Sequence, residues 1–186
     1  MNSSMNKCFC GIDVGLRESH AAIMENRKVV SIFKVEADQL SDLSPCFAAG
    51  IDAPLSLPQE GTLRECERDL IKMGIRLFPS GADFFKKVAE KGMQFSTALE
   101  AEEGIEVFEV YPYATRSILK IAPNSKKREK GGRAAIVTDL NRYTEIKEDL
   151  NHNEIDAVIA ALTVSLYYEG HGRILEGADG SLLIPD

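Results

Sequence analysis

Long apolar stretches are missing from the 186-residue sequence: none approaches the ~18 residues that a membrane-spanning helix needs. The opening segment, MNSSMNKCFC, lacks the basic and apolar regions of a secretory signal peptide. We also find no internal repeat of about 20–50 residues and no low-complexity segment. These absences argue against membrane, secreted and solenoid proteins. They predict a single cytoplasmic domain over residues 1–186, with residues 1–6 disordered.

Positive charge is in short supply. Lysine and arginine number 22 against 29 acidic residues, which gives a net charge of −7. A protein that coats nucleic acid non-specifically needs a broad basic surface, so this class is disfavoured, whereas an enzyme with one local basic patch is not. Basic residues cluster once, in NSKKREKGGR at 124–133. This stretch is either a loop that binds phosphate groups or a solvated loop that precedes a helix.

Histidine and cysteine are also scarce, and their spacing excludes several chemistries. The three histidines are isolated, and no nucleophile–histidine pair is evident, which argues against serine or cysteine catalysis. The four cysteines form no Cys-x-x-Cys motif, and no His-x-x-x-His pair accompanies them. We therefore interpret them as small buried apolar residues in a reducing compartment rather than as a zinc site.

The remaining pattern alternates strands and helices. Strands are predicted at 7–13, in two runs over 20–35 joined by a turn at 25–27, at 46–52, at 104–112 and at 181–185, with an extended link or short strand at 75–79. Helices are predicted at 62–74, at 82–92 between a Ser80 cap and Gly92, at 113–119, at 133–149 and at 153–170. This order favours an α/β fold with a mixed central sheet. Three antiparallel N-terminal strands are followed by parallel strands, and helices flank the sheet.

Acidic residues end three of the strands that should be buried. Asp13 and Asp52 each close a Gly-Ile-Asp motif, and alternation places Glu109 on the same strand face as Ile105 and Val107. A buried carboxylate without a partner is costly. Each of these acids therefore requires a metal ion or a positive side chain nearby.

A fourth acid, Asp156, lies near the start of the helix at 153–170, at the edge of its apolar stripe. Four carboxylates from distant segments would suit a hard cation such as Mg²⁺ or Mn²⁺. Two such ions about 3.5–4 Å apart can activate a water molecule and stabilise the leaving oxygen in phosphodiester cleavage. The predicted metal ligands and catalytic residues are Asp13, Asp52, Glu109 and Asp156.

Each acid also has a purely structural interpretation. Asp13 and Asp52 could hydrogen-bond the turns that follow them. Glu109 could pair with a buried arginine such as Arg64 or Arg116. If Asn153 caps the last helix, Asp156 is its third residue and stabilises the helix dipole.

Several motifs occur together over nearly the whole chain. They are GIDVG at 11–15, GIDAPLSLP at 50–58, Arg64 with the helix after it, FEVYPYAT at 108–115, Arg133, NEIDAVIAAL at 153–162 and LLIP at 182–185. In this combination the chain resembles the domain-of-unknown-function family numbered 429, which is described as predicted nucleases of the RNase H-like fold. The resemblance implies a wider kinship with RuvC-type resolvases and ribonuclease H. In those proteins an aspartate on the first strand, an acid on a later strand and an acid on the last helix bind divalent metal.

One departure concerns the final helix. RuvC-type sites often carry two acids one helical turn apart there. In this chain Asn153 lies one turn before Asp156 and Ile159 one turn after it, which puts a second metal in question.

The first functional hypothesis is a divalent-metal-dependent nuclease that hydrolyses phosphodiester bonds in DNA or RNA. Its substrate phosphates would meet Arg64, Lys127, Arg128 and Arg133. Arg64 could instead hold Asp52 in place. A second hypothesis is a phosphotransferase or ATPase of the actin/sugar-kinase type, because GIDVG resembles their phosphate-contacting first turn. A third is a non-catalytic module of the same fold that binds nucleic acid or a protein.

Overall fold

The structure is a computed structural model and describes residues 8–147 and 149–186. The disorder predicted for residues 1–6 therefore lies outside the described residues. Within them the strands are β1 Cys8–Asp13, β2 Ser19–Glu25, β3 Lys28–Val35, β4 Ala48–Asp52, β5 Glu106–Glu109, β6 Gly172–Gly177 and β7 Gly180–Pro185. The helices are α1 Glu65–Lys72, α2 Lys86–Ala98, α3 Pro112–Ile118, α4 Lys130–Leu140 and α5 His152–Tyr168.

The central sheet has five strands in the order β3-β2-β1-β4-β5. The pairs β1–β2 and β2–β3 are antiparallel, whereas β1–β4 and β4–β5 are parallel. The predicted mixed sheet with three antiparallel N-terminal strands is thereby confirmed. Asn26 and Arg27 join β2 to β3 with positive φ angles, as a two-residue hairpin turn requires.

Helices cover both faces of this sheet. On one face, Phe9 of β1 and Ala22 of β2 pack against α5, whose residues Ile155–Leu166 are all buried. On the other face, Ile12 and Ile51 pack against Phe95 of α2. Among the described residues, no helix has both the length and the apolar character to span a bilayer.

Two glycines let α5 lie directly on the sheet. A Cβ atom at Gly11 would come within 2.1 Å of the Ala157 carbonyl oxygen, and one at Gly50 within 2.7 Å of the Ala160 carbonyl oxygen. These distances are shorter than any contact that a side chain could make, so both positions require glycine. In each case the aspartate of the Gly-Ile-Asp motif follows two residues later and lies on the same face of the sheet.

Two predicted helix boundaries and one omission need correction. The helix predicted at 82–92 begins as a 3₁₀ turn at Asp83–Phe85 and continues as α2 to Ala98. Gly92 does not end this helix. It lets the helix approach the turn after β4, where a Cβ atom at Gly92 would lie 2.6 Å from that of Ala53. Ser80 does not cap the helix; its hydroxyl donates to Glu67.

The helix predicted at 133–149 extends from Lys130 to Leu140 only. The chain then turns to run beside the hairpin: the Val29 amide donates to the Glu145 carbonyl, and the Glu145 amide donates to the Arg27 carbonyl. These long-range bonds are not visible in local helical spacing. The sequence pattern also gave no sign of β6, which pairs with the predicted last strand as a separate two-stranded sheet.

Replacement of Gly11 by Ala is expected to lower the free energy of unfolding by about 3 kcal/mol, because the new methyl group would collide with backbone atoms of α5. Urea unfolding measures this change. Gly131→Ala is the matched control: it lies in α4, and apart from its chain neighbours and the backbone of its own helix no described atom lies within 4 Å of the position that its new methyl group would occupy. That variant is expected to be neutral or slightly stabilising. Equal effects at the two positions would contradict the close packing of α5.

Candidate metal centre

Three aspartates meet at one edge of the sheet. Asp13 ends β1, Asp52 ends the neighbouring parallel strand β4 in direct register with it, and Asp156 extends from the first turns of α5. Each offers a carboxylate oxygen, and these oxygens all lie within 4.8 Å of one another. The close approach of α5 to Gly11 and Gly50 therefore brings together three of the four predicted acids.

The start of α5 leaves Asp156 free of any capping role. The N-cap is Asn151, whose side chain accepts from the amides of Asn153 and Glu154. The Glu154 carboxylate in turn accepts from the Asn151 amide and completes a capping box. The interpretation with Asn153 as the cap and Asp156 as the third helical residue is wrong. Asp156 lies deeper in the helix and is 4% exposed.

Burial makes this edge costly for negative charge. Desolvation raises the pKa of Asp13 to about 6, although the nearby Lys127 ammonium opposes the shift. Desolvation and then the charge of Asp13 raise the pKa of Asp52 to about 8. Both shifts favour protonated carboxyls in the metal-free protein. A cation placed among the three oxygens would relieve the repulsion that causes part of the Asp52 shift.

Lys127 enters the cluster from the loop between α3 and α4. Its ammonium group forms an ion pair with the Asp156 carboxylate, and its side chain is 37% exposed. Burial lowers the pKa of Lys127, while the charges of Asp52 and Asp13 act in the opposite direction. The sequence prediction placed Lys127 on a substrate phosphate. In the structure it lies beside the acids, within reach of any group bound to them.

The rest of the basic loop is held by arginines from its flanks. Arg133 donates to the Arg128 carbonyl at 3.2 Å, and Arg116 donates to the carbonyls of Ala122 and Ser125 at 3.0 and 3.1 Å. Arg133 therefore supports the loop backbone, while the Arg128 side chain is exposed. The segment is a loop before α4 whose backbone is supported and whose Lys126 and Arg128 side chains are exposed, and its contact with phosphate stays a prediction.

Two histidines that were interpreted as isolated lie beside the cluster. His20 on β2 is the cross-strand partner of Asp13 and shares its face of the sheet, and it is 4% exposed with its Nδ1 atom unpartnered among the described residues. His152 begins α5. Burial lowers its pKa, and the charges of Lys127 and Arg128 lower it further. The proximity of His20 and His152 to the three aspartates could not be predicted from sequence spacing, because it depends on strand register and on the placement of α5.

Glu109 lies outside the cluster of three aspartates. It pairs in register with Ile51, on the sheet face opposite Asp52, and both of its carboxylate oxygens bind Arg64. One of these oxygens also accepts from the Leu55 amide at 2.8 Å. The structure thus shows the ion pair that the sequence offered as the alternative for Glu109.

Arg64 is 1% exposed, so it cannot anchor a substrate phosphate as predicted. Its guanidinium group binds Glu109, Glu67 and the Ser56 hydroxyl. Burial alone would lower its pKa, but the hydrogen bonds and charge of Glu109 more than offset this and raise it. Arg64 holds Glu109 rather than Asp52, and the pair clamps the turn that follows β4.

The same architecture occurs in proteins of known structure. Two structures of Thermus thermophilus RuvC, one in complex with a Holliday junction substrate, superpose on the chain with TM-scores of 0.54 and 0.51. Sequence identities are 11% and 12%, and each match covers 88% of this chain and 96% of the other. The chain has the RNase H-like fold. No family model and no curated protein sequence matches it.

The donor set of this cluster suits a hard divalent cation. Its three ligands are carboxylate oxygens from β1, β4 and α5, within 4.8 Å of one another. Oxygen ligands of this kind are preferred by Mg²⁺ and Mn²⁺, and no soft sulfur ligand belongs to the cluster. Asp13, Asp52 and Asp156 are therefore the residues that would hold the ion.

Replacement of Asp52 by Asn is expected to stabilise the metal-free protein at alkaline pH by on the order of 2 kcal/mol. The folded wild type holds a proton on Asp52 up to a pKa of about 8, whereas the ordinary pKa of an aspartate is 3.8. Its stability therefore falls as pH rises between these values, and the amide removes that loss. Thermal unfolding in EDTA at about pH 6 and about pH 8.5 measures the difference.

The exposed Asp42→Asn variant serves as the control for this pH dependence. It should change the unfolding temperature equally at both pH values. A stabilisation by Asp52→Asn that is no larger at the higher pH would contradict the raised pKa.

Proposed function

We propose that the chain is a divalent-metal-dependent nuclease that hydrolyses phosphodiester bonds in DNA or RNA. The observation that carries this proposal is the meeting of Asp13, Asp52 and Asp156 at one edge of an RNase H-like sheet. The fold comparison adds support, since one of the matched structures is a RuvC bound to a Holliday junction substrate. The membership of family 429 expected from the motifs agrees with this function and stays a prediction.

The acidic residues of the site would bind the metal ion, and the basic residues would bind the substrate phosphate. Asp13, Asp52 and Asp156 would hold Mg²⁺ or Mn²⁺, which when bound supplies Lewis-acid stabilisation of the phosphate and acidifies a water molecule. The ammonium group of Lys127 forms an ion pair with Asp156. From there it could instead bind a non-bridging oxygen of the substrate phosphate. The exposed Arg128, with Arg133 supporting its backbone, adds positive charge beside Lys127.

The arrangement also explains how an acidic protein could bind a polyanion. The net charge is −7, but the cationic side chains of Lys127 and Arg128 lie near one another beside the aspartates. Local charge of this kind places a phosphate without coating the nucleic acid. We expect binding to weaken as salt rises, with a shallow slope that reflects few phosphate contacts.

Cleavage assays test the proposal directly. The wild type with Mg²⁺ or Mn²⁺ is expected to cleave at least one of single-stranded, duplex and branched DNA or RNA. Asp13→Asn and Asp156→Asn should each reduce the rate by ~100-fold or more, because each removes a charged ligand. Asp42→Asn, an exposed acid outside the site, should leave the rate unchanged. Cleavage that persists in Asp13→Asn would refute the proposed site.

Lys127→Met is expected to separate metal binding from cleavage. Methionine retains the apolar stem but removes the ammonium group that now neutralises Asp156. Mn²⁺ should therefore bind up to ~10-fold more tightly, while cleavage should slow because the contact to phosphate is lost. Isothermal titration with Mn²⁺ and a cleavage assay on the same preparation give the two quantities. Weaker Mn²⁺ binding in this variant would show that Lys127 supports the metal instead of competing with it.

A further inference from the structure

Three phenylalanines form an exposed aromatic platform, defined here as Phe78, Phe84 and Phe85. Phe78 and Phe84 are 68% and 65% exposed, the highest values for large apolar side chains in the described residues. Their rings meet edge to face with centroids 5.9 Å apart, and Phe84 meets Phe85 in the same way. Apolar rings gathered in water mark a binding surface rather than a packing requirement.

The platform adjoins the candidate metal centre. One cavity is lined by Asp52 together with Phe78, Phe85 and Tyr111. A ligand that contacts Asp52 and extends along this cavity would meet the rings of Phe78 and Phe85. The core does not require Phe78 and Phe84, because both rings face solvent, whereas Phe85 is half-buried.

The position of the platform is fixed by the fold. Phe84 and Phe85 belong to the 3₁₀ turn that leads into α2, and α2 packs through Gly92 onto Ala53, the residue after Asp52. The platform and the carboxylate of Asp52 are therefore joined by a short, tightly packed segment.

Positive charge accompanies the rings. Lys86 and Lys87 follow Phe85 directly in the chain, and both side chains are exposed. Lys86 is partly neutralised by Asp83 at 2.7 Å. Aromatic faces combined with lysines are the features with which proteins bind single strands, where the bases stack on rings and the cations meet the backbone.

We propose that the aromatic platform stacks an unpaired nucleobase beside the phosphate held at the candidate metal centre. This inference rests on the proposed nuclease function and narrows its substrate to nucleic acid with unpaired bases next to the cleaved bond. In a continuous duplex every base face is covered by its neighbours, so a duplex offers nothing for Phe78 and Phe84 to stack on. Single strands, flaps and branch points do offer such a base.

The test compares a Phe78→Ala/Phe84→Ala double variant with its parent in an Asp13→Asn background, so that binding is measured without cleavage. The probe is an oligonucleotide that carries 2-aminopurine, either single-stranded, in a branch or in a continuous duplex. The double variant should bind the single-stranded and branched probes about 10-fold more weakly and lose the quenching of 2-aminopurine. Duplex binding should stay within about two-fold of the parent value.

Val30→Ala is the matched control, since Val30 is 52% exposed and lies on β3. It should change none of these readouts. Thermal unfolding of the double variant should match that of its parent, because both replaced rings face solvent.

The outcomes separate the two proposals. Unchanged binding and quenching in the double variant would overturn the platform, whereas loss of cleavage in Asp13→Asn alone would still support the nuclease. If the wild type cleaves no substrate but the double variant binds single strands more weakly than its parent, the platform is supported and the nuclease proposal is overturned. If the double substitution instead converts a dimer into a monomer, the rings form a contact between two copies and the inference is overturned.

Discussion

The contact between the backbone of α5 and two glycines of the sheet is the constraint on which the site depends. Gly11 and Gly50 lie on neighbouring parallel strands, and the carbonyl groups of Ala157 and Ala160 approach the space that their side chains would fill. A helix this close to the sheet carries Asp156 to the strand ends. The repeated Gly-Ile-Asp motif is thus one structural device used twice: the glycine admits the helix, the isoleucine packs on the opposite face, and the aspartate reaches the site.

Three carboxylates in this small space impose an electrostatic cost on the folded chain. The metal-free protein meets the cost in two ways, by raising the pKa values of Asp13 and Asp52 and by placing Lys127 on Asp156. Both adjustments are reversible, because protons can leave and a lysine side chain can swing aside. Local electrostatic strain of this kind is typical of functional regions, where local stability is exchanged for binding.

The fold and three of the acids could be predicted from the sequence because their signals are local. Asp13 and Asp52 end apolar runs, and Asp156 lies at the edge of the apolar stripe of a long apolar helix. Features that depend on register or long-range packing could not be predicted in this way. His20 joins the site through its pairing with Asp13, which no spacing reveals. Glycine commonly follows the end of a helix, and Gly92 was expected to do so. In the structure its missing side chain allows α2 to approach the turn after β4. A tertiary contact therefore outweighs a local preference at this position.

Side chains alternate between the two faces of a strand, and for Glu109 this alternation decides which partners its carboxylate meets. It pairs with Ile51 rather than with Asp52, so its side chain joins the face that α2 covers. There it binds Arg64, which in turn binds the Ser56 hydroxyl. A buried ion pair of this kind adds little net stability compared with apolar packing, whereas loss of one partner is costly. Its value here is positional. The ion pair fixes the turn directly after Asp52 on one face of the sheet, and α5 packs against the strand on the opposite face. Together these contacts fix the position of Asp52.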